Sequence, residues 1–237
     1  RSIKERYSIH LHALSPPEIQ HIARRSKLTT PETLTRLRDA GLDSLPGGGA
    51  EILVDRVRDI IAPKKTKSAE WLGVMREAHH LGVSSTATMM YGHVETLEER
   101  VEHMRRIREL QDETGGFRAF ISWTFQPDGT RLSDRVVDYP TSFDYLLTQA
   151  VSRIYLDNVD HIQSSWVTQG MKVGQVALGF GADDMGSVMI EENVVSAAGT
   201  TYRTTTDELV HLIRAVGKVP VQRDTLYNEI RRWDGGT

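Results

Sequence analysis

The sequence contains no cysteine among its 237 residues, which excludes disulfides and thiolate metal sites within this chain. No apolar run approaches the roughly 20 residues of a membrane span, and the opening RSIKERYSIH lacks a signal-peptide core. The 29 Lys and Arg residues nearly balance 32 Asp and Glu, so no overall charge favours nucleic acid or a membrane surface. We therefore expect a cytoplasmic protein with a small-molecule partner and no nucleic-acid or membrane partner.

Three consecutive glycines, Gly47, Gly48 and Gly49, follow a short apolar run in SLPGGGAEIL. Such a run costs conformational entropy on folding, so it is typical of places where the backbone bends sharply or approaches another group closely. The pattern is neither GxGxxG nor GxxxxGK[ST], so it gives nucleotide-phosphate binding weak support. A tight turn is the alternative.

Short strand-like runs alternate with helical patterns of at least ten residues, a spacing typical of βα units. Six units fit either an open doubly wound sheet or a barrel with fewer than eight strands. Because the chain begins with Arg and reaches a strand-like run almost at once, we predict an α/β fold: an incomplete (β/α)8 barrel with its third to eighth units in residues 1–205. A C-terminal helical extension is predicted over 206–237. The six runs are residues 8–15, 42–47, 84–92, 117–125, 159–166 and 187–195.

Helix boundaries are marked by capping residues at two places. Thr29 precedes Pro31 and Glu32, which predicts a helix that ends near Gly41. Thr96 opens a longer apolar pattern, and Gly115 stops it.

Polar residues gather where the predicted strands end, and in parallel α/β folds this is the edge that binds ligands. His10 and His12 share one face of the first strand, which suits a metal site, a hydrogen bond to a ligand, or a satisfied core histidine. We predict no metal at this pair. Glu95 precedes a helix, where its charge complements the helix dipole or contacts a ligand.

Later strand ends carry aromatic, amide and acidic groups. Trp123 with Gln126, and Trp166 further on, suit a stacked planar ligand, although core packing explains aromatic residues equally well. Asp184 lies before the last strand and Glu191 with Glu192 within it, a cluster suited to acid–base chemistry or ribose binding.

Several long strings closely resemble the cyclic dehypoxanthine futalosine synthases, radical S-adenosylmethionine enzymes of the futalosine route to menaquinone. The resemblance covers nearly the whole chain from His10. It extends to aminofutalosine synthase and to the synthase of the deazaflavin chromophore precursor. The strings are SLPGGGAEIL, TATMMYGHVETLEERVEHMRRIRELQDETGGFRAFISWTFQP, SSWVTQG, MIEENVVSAAG and QRDTLYNEI.

The resemblance implies a radical SAM barrel with a [4Fe-4S] cluster. The cluster receives an electron from an external donor and reductively cleaves S-adenosylmethionine. The resulting radical would abstract hydrogen from the ribose of a nucleoside-derived substrate, which then cyclises. The family holds its cluster through a CxxxCxxC motif, and this sequence has no cysteine. We therefore expect the motif in two preceding βα units and expect these residues alone to be inactive.

The resemblance also implies roles for residues of this chain. The expected catalytic residues are His93, Asp184, Glu191 and Glu192. The expected substrate contacts are His12, Trp123, Gln126 and Trp166. The expected cofactor contacts are Gly47, Gly48, Gly49, Glu51, Thr86, Thr88 and Glu95.

Three other readings stay open. An inactive barrel fragment with exposed sheet edges would associate into a homodimer. A non-radical barrel enzyme, such as a metal-dependent lyase, would use the carboxylates and histidines. A protein completed by a separate cluster-bearing chain would bind that chain tightly.

Overall fold

The computed structural model describes residues 1–128, 130, 132, 136, 139–189 and 202–234. The helices of this part are α1 (Ser2–Arg6), α2 (Pro16–Ser26), α3 (Thr30–Asp39), α4 (Asp55–Ile61), α5 (Ser68–His80), α6 (Leu97–Thr114), α7 (Ser142–Tyr155), α8 (Trp166–Gln169), α9 (Met171–Ala177) and α10 (Thr206–Ala215). The strands are β1 (Ser44–Leu45), β2 (Ser84–Tyr91), β3 (Phe117–Thr124), β4 (His161–Gln163), β5 (Val221–Arg223) and β6 (Glu229–Arg232).

The main sheet has the strand order β1-β2-β3-β4. β1 pairs in parallel with β2, with Ser44 opposite Ser84. At least one helix lies between successive strands along the chain, as parallel pairing requires. The predicted α/β class with a partial parallel barrel is confirmed.

The described residues form two compact units. The first comprises residues 1–89, 95–120 and 158–160, and the second comprises the described residues of 90–94, 121–157 and 161–237.

In the first unit, aromatic side chains of α5 and β3 pack against each other. Trp71 is fully buried and its ring stacks against Phe117, with centroids 6.3 Å apart. His79 also contacts Phe117, and a Cβ at Gly116 would lie only 2.1 Å from the His79 ring. Gly116 is therefore needed where β3 begins.

The second unit packs α7 against the end of β4. The Ser165 backbone N–H donates to the buried Tyr145 hydroxyl at 2.8 Å. Gln149, also fully buried, donates to the Gln163 carbonyl and accepts from the Ser122 hydroxyl. These bonds satisfy polar groups that burial would otherwise leave unpaired.

The caps at both predicted helix starts are confirmed. Thr29 and Thr96 each accept from a backbone N–H three residues on, while Glu32 and Glu99 complete the two capping boxes. Gly115 ends α6 in a left-handed conformation.

Two of the predicted strands differ from the structure. The run at 8–15 forms a single bridge, His12 to Ser44, because Leu14 takes a positive φ and Pro16 begins α2 directly after it. Residues 187–189 are not strand, and the rest of the run at 187–195 lies outside the described residues.

Of the C-terminal extension predicted as helical over 206–237, the described residues 206–234 are helical only in α10. β5 and β6 follow it as an antiparallel pair. The turn signal is local: the Asp224 carboxylate accepts from the backbone N–H of Leu226 and of Asn228.

Candidate functional site

Gly47 lies against the backbone of β2. Its N–H donates to the Thr86 hydroxyl at 3.0 Å, and its carbonyl accepts from the Thr88 hydroxyl at 2.6 Å. A Cβ at this position would lie 2.8 Å from Thr86 O and from Thr88 N, closer than real Cβ contacts allow. The two threonines therefore fix the start of the loop, and only glycine fits between them.

The next two glycines face the start of α2. A Cβ at Gly49 would lie 2.5 Å from the Pro17 ring, and φ at Gly49 is +78°. A Cβ at Gly48 would approach Ser15 to 3.3 Å. These glycines thus approach other parts of the chain closely, and residues 48 and 49 form a turn. Their contact with the cofactor stays a prediction.

Arg58 of α4 lies beneath the same loop with 1% of its surface exposed. Its guanidinium donates to the carbonyl of Gly49 at 2.9 Å, to that of Thr66 at 2.8 Å through Nε, and to that of Ala50. The Ile52 carbonyl lies 3.5 Å from Nη1. Sequence reasoning missed this residue, because RVRD in a seven-residue helix carries no signal of burial.

His103 of α6 holds the loop at a second point. The Leu53 N–H donates to His103 Nδ1 at 3.0 Å, which leaves the ring proton on Nε2 in the neutral form. Burial, assisted by the charge of Arg58, lowers the His103 pKa to about 3. The ring is therefore neutral near pH 7.

Glu51 has a left-handed backbone, with φ at +45°. A non-glycine residue there stores strain that the surrounding structure must hold. Its side chain is 11% exposed and its carboxylate accepts from the Lys65 ammonium at 2.8 Å, while the Lys65 side chain is 50% exposed. A buried carboxylate that already accepts from a primary ammonium suits a ligand with an amino group.

The Ser44 hydroxyl joins His10 and His12. It lies 2.7 Å from His10 Nε2 and 2.7 Å from His12 Nδ1. A hydroxyl has one proton, so one histidine accepts from Ser44 while the other donates to it. His10 Nε2 and His12 Nδ1 thus each have a hydrogen-bond partner.

His93 is bonded to its own loop through both ring nitrogens. Nδ1 accepts from the Val94 N–H at 2.7 Å, so Nε2 carries the proton and donates to the Met90 carbonyl at 3.1 Å. Its ring meets Phe125 edge to face at 5.9 Å. The side chain of Glu95, two residues later, is buried and accepts from Arg100 at 2.8 Å.

The aromatic and amide residues proposed for the substrate side differ in exposure. Trp166 is 1% exposed, and a Cβ added at Gly174 would lie 2.9 Å from the Cβ of Trp166. Trp123 and Gln126 are part-exposed. Gln126 donates to the carbonyl and the hydroxyl of Thr124, at 3.0 and 3.1 Å.

Asp184 holds the C-terminal hairpin. Its carboxylate accepts from the Arg223 guanidinium, from the Tyr227 hydroxyl at 2.8 Å and from the Gly186 N–H at 2.8 Å. Burial, and then the charge of Asp184, raises the Tyr227 pKa above its usual range. Glu191 and Glu192 lie outside the described residues.

Sequence reasoning also missed the aromatic stack beside Asp184. His161 lies flat on Tyr227, with ring centroids 3.6 Å apart, and its Nδ1 lies 2.7 Å from the Asp183 carboxylate. The guanidinium of Arg223 covers the Tyr227 ring at 3.9 Å. QRDTLYNEI places an arginine and a tyrosine beside a turn, but it carries no signal for the contact with His161.

Residues 114–234 match the family described as CofH/MqnC C-terminal region, and residues 3–107 match the radical SAM superfamily. The chain belongs to the CofH/MqnC family of radical SAM proteins. The resemblance read from the sequence is thereby confirmed.

Relatives of this CofH/MqnC chain carry three activities in their names. Cyclic dehypoxanthine futalosine synthase of Streptomyces coelicolor is 50% identical over 227 residues, 96% of this chain and 56% of that protein. Aminodeoxyfutalosine synthase of Thermus thermophilus is 45% identical over 239 residues, which cover 99% of this chain and 64% of that protein. The 5-amino-6-(D-ribitylamino)uracil–L-tyrosine 4-hydroxyphenyl transferase of Methanococcoides burtonii is 44% identical over 239 residues, which cover 98% of this chain and 67% of that protein.

The chain thus spans little more than half the length of the Streptomyces relative. Among solved structures, methylornithine synthase (PylB) is similar over 87% of this chain and 63% of its own, with a TM-score of 0.62 at 14% identity. That similarity supports the radical SAM barrel fold. Within the described residues, no helix has the length and apolar character to cross a bilayer.

The radical SAM superfamily uses S-adenosylmethionine and a [4Fe-4S] cluster, and the two groups fit this CofH/MqnC chain differently. The cluster needs thiolates, and these 237 residues have none. The described part also contains no group of three His, Cys, Asp or Glu side chains placed to hold a metal. S-adenosylmethionine fits, because the Glu51 carboxylate already accepts from an ammonium beside a glycine loop with a fixed backbone.

Proposed function

We propose that the complete protein converts dehypoxanthine futalosine to its cyclic spiro product, in the cytoplasm, for menaquinone synthesis. The observation that carries the proposal is the 50% identity with cyclic dehypoxanthine futalosine synthase over 96% of this chain. These 237 residues contain no cysteine to hold the cluster. S-adenosylmethionine, when bound, supplies the radical that starts the chemistry.

In this proposal Glu51 binds the α-ammonium of S-adenosylmethionine. Its carboxylate is largely buried and its present partner, Lys65, has a half-exposed side chain that can withdraw into solvent. Charge-assisted bonds of this kind are among the stronger ones in proteins.

The other proposed cofactor residues already have hydrogen-bond partners within the chain, and these partners suggest different roles for them. Thr86 and Thr88 bond Gly47, so they hold the loop in place. Gly47, Gly48 and Gly49 are proposed to contact the cofactor through their backbone. Glu95 is buried against Arg100, which fixes the carboxylate at the start of α6.

On the substrate side we propose Trp123 and Gln126, whose side chains are part-exposed, as direct contacts. His12 is proposed as a hydrogen-bond partner of the substrate. Trp166, which is buried, is proposed as a further substrate contact. For proton transfer we propose His93 with Asp184, Glu191 and Glu192.

The test is product formation by the complete gene product, purified and reconstituted without oxygen and supplied with an electron donor and S-adenosylmethionine. Dehypoxanthine futalosine is the expected substrate, and mass spectrometry would detect a cyclic product. No conversion by a protein with an intact cluster would contradict the proposal.

Aminodeoxyfutalosine synthesis is the second candidate, because the Thermus enzyme is 45% identical over 99% of this chain. A parallel reaction with the substrates of that enzyme separates the two. A third reaction with 5-amino-6-(D-ribitylamino)uracil and L-tyrosine covers the activity named for the Methanococcoides relative.

A further inference from the structure

We infer that Arg58 is a positioning residue that sets the backbone of residues 46–53, the glycine loop, to receive the amino-acid end of S-adenosylmethionine. The inference rests on the proposed function and goes beyond it, because Arg58 has no place in the sequence patterns of the site.

Arg58 is a buried cation whose hydrogen bonds all go to main-chain carbonyls. Its guanidinium reaches Gly49, Ala50 and Thr66 closely, and Ile52 at the limit of a hydrogen bond. Burial lowers its pKa, and Glu51, Asp55 and Glu70 act on it only through their charge. A buried charge is costly unless its donors are satisfied, so the loop carbonyls and the guanidinium hold each other in place.

This arrangement fixes the direction of the loop's N–H groups. In a trans peptide the carbonyl and the N–H point in opposite directions, and the described chain has no cis peptide. The peptide between Ile52 and Leu53 illustrates the rule, because its carbonyl faces Arg58 and its N–H donates to His103. The carbonyls of Gly49 and Ala50 face Arg58 likewise, so the following N–H groups, on Ala50 and Glu51, point away from it.

Two successive N–H groups beside the Glu51 carboxylate suit a zwitterionic amino acid. The N–H groups would donate to the α-carboxylate of the methionine part, as backbone N–H concavities do for anions. Glu51 would accept from the α-ammonium, in place of Lys65. Arg58 touches neither group and acts through the backbone.

Lysine cannot replace arginine in this role. The guanidinium is a planar fork with five donors, which lets one side chain reach carbonyls on both residues 49–52 and Thr66. An ammonium is a point charge with three donors and would leave part of the set unpaired.

The test measures binding to the complete gene product by equilibrium dialysis, with S-adenosylmethionine and dehypoxanthine futalosine as separate probes. Arg58→Lys should weaken S-adenosylmethionine binding by about tenfold or more, the scale of a lost charged hydrogen bond, and leave nucleoside binding unchanged. Arg76→Lys is the matched control, since Arg76 forms an exposed pair with Glu113 in the same unit. It should leave both affinities unchanged.

A second measurement needs no variant. Amide hydrogen exchange of the wild-type protein should slow at Ala50 and Glu51 when S-adenosylmethionine is added. Unchanged exchange there despite binding would overturn the inference, as would a folded Arg58→Lys protein that binds S-adenosylmethionine as tightly as wild type. In both cases the proposed function stands. A wild-type protein that does not bind S-adenosylmethionine at all would overturn the proposed function and the inference with it.

Discussion

Replacing Gly47 with alanine should destabilise the protein, because the new methyl group has no space. Its Cβ would lie 2.8 Å from Thr86 O and Thr88 N, both in the backbone of β2, which cannot move as a flexible side chain can. Relief requires the loop to shift, and a shift breaks the bonds between Gly47 and the two threonine hydroxyls. Overpacking of this kind costs about 1–3 kcal/mol, and each lost hydrogen bond about 1 kcal/mol more.

Urea unfolding, followed by circular dichroism, measures the loss. We expect the free energy of unfolding to fall by about 3–5 kcal/mol, with the midpoint at lower urea and an unchanged slope. Gly73→Ala is the matched control, because Gly73 lies inside α5 and a Cβ there would meet nothing within 4 Å. Alanine in the middle of a helix stabilises by about 0.5–1 kcal/mol relative to glycine.

The two variants thus move stability in opposite directions although each adds one methyl group. Equal midpoints for Gly47→Ala and wild type, with Gly73→Ala behaving as expected, would refute the reasoning. Such a result would mean that the loop after β1 has room to shift without loss of its bonds to β2.

Three further changes follow from the same geometry. His103 is neutral in the folded state down to about pH 3, whereas its pKa in the unfolded chain is near 6.5. The free energy of unfolding should therefore fall as the pH drops from 6.5 towards 3, and urea titrations should show a weaker pH dependence in His103→Gln. Glu51→Gln should weaken S-adenosylmethionine binding by about tenfold, since a charged hydrogen bond is lost, whereas Lys65→Ala, which removes a competitor for the same carboxylate, should not weaken it. Asp184→Asn should loosen the hairpin of β5 and β6, detected as faster limited proteolysis after α10, because Arg223 loses its anionic partner.

Each of these has a contrary outcome. A pH slope that His103→Gln leaves untouched would assign the proton uptake to other groups. Loss of binding in Lys65→Ala as large as in Glu51→Gln would mean that the lysine itself holds the ligand. A hairpin equally resistant in Asp184→Asn would place its anchor elsewhere.

Local signals predicted the parts of the fold that depend on neighbouring residues. Thr29 and Thr96 cap their helices as expected, and Gly115 ends α6, because these bonds join residues within one turn of chain. The run at 8–15 has the same alternation as a strand yet forms only one bridge, since Leu14 takes a positive φ and α2 begins at Pro16.

The glycine loop could be singled out from the sequence, but the residues that support it could not, and its contact with the cofactor stays a prediction. The glycine run correctly indicated a close approach, whereas its partners, Thr86 and Pro17, lie about 30 or more residues away in sequence and meet it only in the fold. Arg58 was not predictable, because a charged residue in a short helix is normally exposed. His161 and Tyr227 are separated still further along the chain, so their stacking has no local signal.

The left-handed backbone of Glu51 implies a conflict between robustness and function at a single position. Glycine would take φ of +45° without steric cost, so Glu51→Gly should relieve about 1 kcal/mol of strain. The same change would remove the carboxylate proposed to hold the cofactor. A screen for heat resistance alone would therefore drift towards glycine at residue 51, whereas selection for activity would keep an acid in a conformation that its backbone resists.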